Sequence, residues 1–217
     1  MKHLLHPFFI IGCLFMKDKE IVRQGYNEVA EDYLALRNEE LAEMEFLPDF
    51  ISKIPKDSKV LDAGCGAGYP FTKKLSEYFD VIGVDISEKQ IELATKKVPK
   101  ATFLCEDMTK LSFPDDYFTG ILSYYAIIHI PREEQYDLLK NFYRMLKKGG
   151  VALLTFHSTD DPGYHHDDFF GSDMFWSGFD KKTNEKMVQK IGFKIIWSKL
   201  LGDSLGDYQH LFLFLEK

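Results

Sequence analysis

Two short stretches carry the first chemistry legible in this chain. Val60-Leu61-Asp62-Ala63-Gly64-Cys65-Gly66-Ala67-Gly68-Tyr69 is an apolar run, lengthened by Lys59, that ends in a glycine-rich turn. Glycines are needed where a backbone turns sharply and approaches a ligand closely, because a Cβ would obstruct both. Val81-Ile82-Gly83-Val84-Asp85 is a second apolar run, and it ends in an acid. A carboxylate at a strand end can accept both hydroxyls of a ribose. Glycine turn and acid together read as a nucleoside-binding half-sheet.

The glycine spacing narrows the ligand. It is G-x-G-x-G, and the third glycine of a dinucleotide fingerprint would fall at Tyr69. A triphosphate loop would need Gly-Lys-Ser/Thr, and Tyr69-Pro70 stands there instead. A NAD-linked oxidoreductase is therefore the weaker alternative, and no Tyr-x-x-x-Lys pair supports it. Val60 to Phe71 resembles motif I of the class I S-adenosylmethionine-dependent methyltransferases, and most of the chain can be laid on that family.

The resemblance implies S-adenosylmethionine as cofactor and gives roles to residues in order. Asp62 would support the loop and the cofactor amino group. Gly64, Cys65, Gly66 and Gly68 would shape the backbone under the methionine portion. Asp85 would take the ribose, and Ile86 would pack on adenine. Tyr26-Asn27-Glu28-Val29-Ala30-Glu31-Asp32-Tyr33 resembles the family's Y-D-x-x-A-x-x-Y segment, which places Tyr33 near the methionine moiety and leaves Tyr26 as core packing or a lesser contact. After the third strand, Asp107 and Met108 match the pair that meets the adenine amino group and ring; the alternative is a solvated turn acid. Phe118 to Ile130 resembles F-D-x-I-x-S-x-x-A-L-H-H-I, with Ser123 and Tyr124 at the cofactor side. Thr119 and Ile128 depart from that pattern, and His129 keeps the second histidine position.

Methyl transfer from a sulfonium is an in-line displacement that needs alignment and exclusion of water more than a nucleophile triad. A protic acceptor can also need a base. His129, His157 and His210 are the candidates; His129 could also orient substrate, and a lone histidine after an apolar strand is more often a packed or hydrogen-bonded structural residue. Tyr33, Tyr124 and Trp176 could stabilise a sulfonium or a cationic acceptor. A non-catalytic module that binds the cofactor or its demethylated product is the second alternative.

The elements that must position these residues follow from periodicity. Helical stripes run over Lys19–Arg37, Glu39–Ile54 (disturbed by Pro48), the stretch from Phe71, and Ser87–Val98, which opens with a capping box. Pro131–Lys148 is a further helix that ends at Gly149-Gly150, and Asp180 caps the last one. Strands fall at the stretches led by Val60, Val81, Ala101, Phe118 and Val151, then at Phe193–Trp197 and His210–Leu215. The loop between those two covers Leu201–Asp207. Strand and helix alternate, so the fold class is α/β with a mostly parallel sheet; the resemblance implies a Rossmann-like three-layer sandwich whose seven-stranded sheet has the order 3-2-1-4-5-7-6, with strand 7 antiparallel.

Within 217 residues, we expect an N-terminal extension over 1–16 and a single domain over 17–217. Its parts would be a helical cap over 17–56 and a lid over 157–180. The extension is apolar and too short to span a bilayer; Ile10-Ile11-Gly12-Cys13 faintly resembles a lipoprotein cleavage site. Residues 158–179 read as a long loop rich in aromatics and histidine. Its Phe-Phe-Gly…Met-Phe-Trp-Ser series is similar to a segment that closes over the pocket in one branch of the family. Neighbouring His165 and His166 face opposite ways in an extended chain, so no metal site is expected. A net charge of -7 argues against broad nucleic-acid binding. Three cysteines without a CxxC pair suit a reducing cytoplasm. The expected partner is a small-molecule methyl acceptor, with no nucleic acid and no membrane; acceptor atom and oligomeric state are not readable.

Overall fold

Alternation along the strands builds the layers. A computed structural model describes residues 7–202 and 208–217, and side chains from residue 17 onward. In β1 (Lys59–Ala63), Leu61 and Ala63 enter one core while Val60 enters the other. β9 (Gln209–Glu216) does the same: Leu211, Leu213 and Leu215 face one layer, Phe212 and Phe214 the opposite one. A strand buried on both faces belongs inside a sheet covered by helices on both sides.

The remaining strands are β2 (Asp80–Asp85), β3 (Thr102–Cys105), β4 (Phe118–Ser123), β5 (Leu146–His157) and β8 (Lys194–Gly202), with β6 (Asp161–Phe169) and β7 (Ser172–Gly178) forming a separate pair. The large sheet has seven strands in the order β3-β2-β1-β4-β5-β9-β8. Counting only its own members, this is the order expected from the sequence. β1 to β5 pair in parallel, and β9 runs antiparallel to both β5 and β8. α5 (Arg132–Met145) and α6 (Lys181–Ile191) cover one face through Leu138, Leu139, Phe142, Met187 and Val188. α2 (Leu47–Ser52) and α3 (Phe71–Leu75) cover the other through Leu47, Phe50, Phe71 and Leu75.

Four local readings change. Pro48 sits in the first turn of α2, where its missing N–H costs nothing, so it opens that helix; a 3-10 turn over Ala42–Phe46 precedes it. α5 stops at Met145, and Lys147-Lys148-Gly149-Gly150 belongs to β5, because buried Leu146 already pairs with Phe118 across the sheet. The stretch read as a long loop contains β6 and β7, an antiparallel hairpin. Phe169 faces Ser172 across its turn, and Phe170 and Gly171 both have positive φ (56° and 84°), as a two-residue type I′ turn requires. The expected capping box is only half formed: Ser87 accepts from the Gln90 N–H at the start of α4 (Glu88–Lys97). Its own N–H goes to Asp85 instead.

α1 (Pro7–Ala35) is continuous through Met16. It crosses the tips of β2 and β3, where Arg23 pairs with Glu88 and Asn27 holds Ser87 and the Lys89 N–H. It also carries the hairpin on its flank. Residues 1–6, and 203–207 of the loop read between the last two strands, lie outside the described residues. No helix among the described residues is long and apolar enough to cross a membrane.

Candidate active site

A cleft opens where β1, β2, β3 and β4 end, its empty space about 660 Å³ with the part open to solvent included. Parallel α/β sheets place ligands there because the crossovers leave a crevice beyond the strand tips. β1 delivers the glycine turn. Gly64, Gly66 and Gly68 all adopt positive φ (80°, 53° and 72°). A Cβ on Gly64 would lie 2.1 Å from the Cβ of Ala126, inside the cleft wall. Gly68 also serves packing: a Cβ there would lie 3.2–3.4 Å from Val98, Phe103 and Ala94, so its absence lets the turn approach α4 and β3.

β2 delivers Asp85 to the same wall. Its Oδ2 accepts the Gly66 N–H at 2.9 Å and its Oδ1 accepts the Ser87 N–H at 2.9 Å. Burial pushes the carboxyl above its ordinary value, opposed by those two N–H groups. Each carboxylate oxygen keeps a second lone pair for a ligand hydroxyl. Because Asp85 takes the Ser87 N–H, the Gln90 side chain has no cap to complete. Its amide is buried (1% exposed), lines the cleft, and neither its Nε2 nor its Oε1 has a hydrogen-bond partner. A buried amide with donor and acceptor both unmet is costly unless a ligand meets them.

β3 delivers Asp107 and Met108, with Glu106 beside them. Asp107 Oδ1 accepts from the Thr109 N–H and hydroxyl. Its Oδ2 pairs with Lys19 of α1 at 2.9 Å. Burial pushes this carboxyl up, but the bonds from Lys19 and Thr109 outweigh it and hold it below the ordinary value. Lys19 also pairs with Glu134 at 2.7 Å, so it clamps α1 over this end of the cleft.

The other end is aromatic. Tyr26, Tyr33, Tyr124, Tyr125 and His129 line it, with Ile86 and Ile130. Phe169, Phe170 and Trp176 of the hairpin extend the cluster: Tyr26–Phe169 and Tyr33–Phe170 centroids are 6.1 and 6.2 Å apart, and His129–Trp176 5.4 Å. Arg37 stands over the rings of Tyr33 and Tyr125 and pairs with buried Glu43 at 3.1 Å. His129 Nδ1 lies 2.7 Å from the Phe175 carbonyl. A carbonyl only accepts, so Nδ1 carries the hydrogen and Nε2 accepts. Its donor is the Tyr26 hydroxyl, at 2.9 Å. Burial lowers the imidazole pKa to about 4, so His129 is neutral at pH 7.

Of the residues singled out in the sequence, Tyr33, Gly64, Gly66, Asp85, Ile86, Asp107, Met108, Tyr124 and His129 stand in this one wall. Asp62 is 2% exposed and points away, accepting the Thr72 hydroxyl at 2.6 Å. That bond ties β1 to α3 beneath the glycine turn. Ser123 is buried and donates to the Ala63 carbonyl, joining the ends of β4 and β1. Cys65 is tucked into the turn, and burial raises its thiol pKa well above the ordinary value. His157 and His210 face each other across β5 and β9, with His210 packed edge-on against Tyr125 at 5.1 Å. They stand behind the cleft wall. Gln90, Lys19, Glu106 and Tyr125 line the cleft without having been singled out. For Gln90 the available signal was the acid two residues before Ser87, which competes for the capping N–H.

Residues 60–150 match a family model described as a methyltransferase domain. Magnesium protoporphyrin IX methyltransferase from Synechocystis, solved with bound S-adenosylhomocysteine, superposes with a TM-score of 0.71 over 92% of this chain and 99% of that one, at 18% identity. Over residues 60–150 the chain is similar to methyltransferase domains, and its fold is that of class I S-adenosylmethionine-dependent methyltransferases. A second methyltransferase of this fold, from Burkholderia thailandensis with 1,6-didemethyltoxoflavin and S-adenosylhomocysteine bound, has a TM-score of 0.71 over all of this chain and 92% of that one, at 16% identity. At such identities the likeness concerns the fold.

Curated methyltransferases are nearer in sequence. A sterol 24-C-methyltransferase from Aspergillus fumigatus is 34% identical over 106 residues, 45% of this chain. A 2-methyl-6-phytyl-1,4-hydroquinone methyltransferase from Synechocystis is 33% identical over 108 residues, 48% of this chain. The matched stretches span 27% and 33% of those enzymes' own lengths.

Proposed function

We propose that this chain is a methyltransferase that moves the methyl group of S-adenosylmethionine to a protic atom of a small molecule. The observation that carries the reading is one cleft with two different ends. Its β1–β3 end combines the glycine cradle, Asp85 and the unmatched Gln90 amide. Its other end presents the Tyr26–His129 pair among aromatic rings. A nucleoside fits the first end: Asp85 would hold the ribose hydroxyls, Gln90 would offer donor and acceptor beside them, and Asp107 and Met108 would meet adenine. Gly64 would allow the methionine portion to pass close to the backbone.

When bound, the cofactor supplies an already activated methyl on a positive sulfur. The acceptor lone pair would form the new bond to that carbon, and the carbon–sulfur electron pair would stay on sulfur, leaving a neutral thioether. The chain's contribution is alignment, exclusion of water and removal of one proton. Tyr26 can take the acceptor proton while its own hydroxyl proton moves to His129 Nε2. A base with a pKa of about 4 is weak. It suffices for a hydroxyl acceptor, because the oxygen becomes strongly acidic as it gains a methyl group. The aromatic walls suit an apolar or cationic acceptor.

Thermal shift with S-adenosylmethionine, S-adenosylhomocysteine and NAD tests the first half: the two sulfur nucleosides should stabilise the chain and NAD should not. Transfer of labelled methyl to a small-molecule pool tests the second. Tight binding with no transfer to any fraction of such pools would make the chain a binding module instead.

A further inference from the structure

The hairpin does more than roof the cleft, because one of its backbone carbonyls is bonded to His129. Burial keeps that imidazole neutral, so two neutral forms compete, with the hydrogen on Nδ1 or on Nε2. The Nδ1–H form alone can accept from Tyr26. The Phe175 carbonyl selects it.

The hairpin reaches that position by lying directly against α1. Gly25 marks the contact. A Cβ there would stand 2.5 Å from the Asp173 carbonyl oxygen and 2.9 Å from Met174 Cε. Met174 can move its tip, but Asp173 can yield only by shifting β7. A glycine inside a helix costs up to about 1 kcal/mol relative to alanine, so the position runs against local helix preference. Further along α1, Glu28 accepts the Ser172 hydroxyl and Asp18 pairs with His165 at 3.1 Å. The far end of β7 is fixed by Ser177, whose hydroxyl donates to the Ile130 carbonyl just beyond His129.

We propose that docking of the β6–β7 hairpin on α1 at Gly25 sets the tautomer of His129, through the Phe175 carbonyl, and thereby readies Tyr26–His129 to take a proton. Gly25 and Ser172 are then positioning residues, acting on the pair from outside the cleft. The catalytic part of this inference rests on the function proposed above; the structural part does not.

The test is Gly25→Ala in the full chain, read by long-range proton–nitrogen spectra of nitrogen-15-labelled histidine. The His129 signals are assigned with His129→Asn. The parent should show one neutral form, protonated at Nδ1. Gly25→Ala should convert it to a mixture or to the Nε2–H form. With Trp197→Phe as background, Trp176 emission should report a displaced hairpin. S-adenosylhomocysteine affinity should stay within about twofold, while kcat falls roughly 10–100-fold with KM for the acceptor less affected. Ser172→Ala, which adds no bulk, should shift the tautomer in the same direction by less.

An unchanged Nδ1–H signal in both variants would overturn the proposal, whether or not the hairpin has moved. So would a changed tautomer with unchanged kcat. The spectra need neither cofactor nor acceptor, so a chain that transfers no methyl group but shows the tautomer shift would defeat the proposed function and leave the docking link standing.

Discussion

Gln90 shows how a single side chain can be set aside for a ligand. Its backbone N–H caps α4 through Ser87, while Asp85 takes the bond its amide would otherwise make. Gln90→Leu keeps most of the volume and removes two unmet polar atoms. The ligand-free protein should become more stable by about 1–3 kcal/mol, and S-adenosylhomocysteine should bind more weakly. Paired melting and calorimetry check both signs; a loss in stability would mean the amide is satisfied in solution. Tyr26→Phe isolates the proton step. It keeps the ring packing on Tyr33 and Phe169 and deletes the hydroxyl bonded to His129. We expect kcat to fall about 100-fold with cofactor affinity unchanged, as steady-state kinetics and calorimetry would show.

Asp62 and two histidines act against each other at this scale. Burial holds His129 and His157 near a pKa of about 4 against an ordinary 6.5, so between those values the unfolded chain binds more protons and acid destabilises. Burial raises Asp62 from 3.8 to about 7, with the Asp85 charge adding to it. Its contribution is therefore fully present below 3.8 and lost as pH rises through about 7. The two effects oppose each other over the same window. Asp62→Asn keeps an acceptor for Thr72 but removes the acid-side offset. Its melting temperature should fall more steeply than the parent's between pH 7 and 5, in a scan of melting temperature against pH.

At the scale of elements, legibility depended on what fixed each one. The glycine turn and Asp85 could be read because backbone geometry admits few residue types there. The strands of the large sheet could be read because β1, β2, β4 and β5 are strongly apolar and separated by helical stripes, while their order came with the family resemblance. The β6–β7 hairpin could not. His165, His166, Asp167 and Asp168 are exposed together, so β6 shows no alternation, and only β7 buries side chains. Lys19 could not be read as part of the site either, since its partners Asp107 and Glu134 lie far along the chain. The hairpin tip carries its own prediction. Phe170 holds a φ of 56°, which costs an L-residue about 1–2 kcal/mol, and its ring lies on Tyr33 and Phe169. Phe170→Asn relieves the strain and removes the ring contacts, which are of similar worth. The melting temperature should stay within a few degrees of the parent while KM for the acceptor rises. A large loss of stability would show that the ring contacts dominate.

At the scale of the molecule, the cleft joins parts of the chain made at different times. α1 supplies Lys19 and Tyr26, the strand tips supply the glycine cradle and acids, and the hairpin supplies the carbonyl on His129. The sheet itself closes out of order. β9 comes last in the sequence yet lies between β5 and β8. During translation, then, β8 leaves the ribosome with no strand to lie against, and β5 waits with an open flank. Nascent chains halted before Gln209 should be cut readily within β8 by added protease, whereas chains that include β9 should resist. β9, made after both of its neighbours, acts as a keystone, and the interval before it emerges is when the half-built sheet stands most exposed.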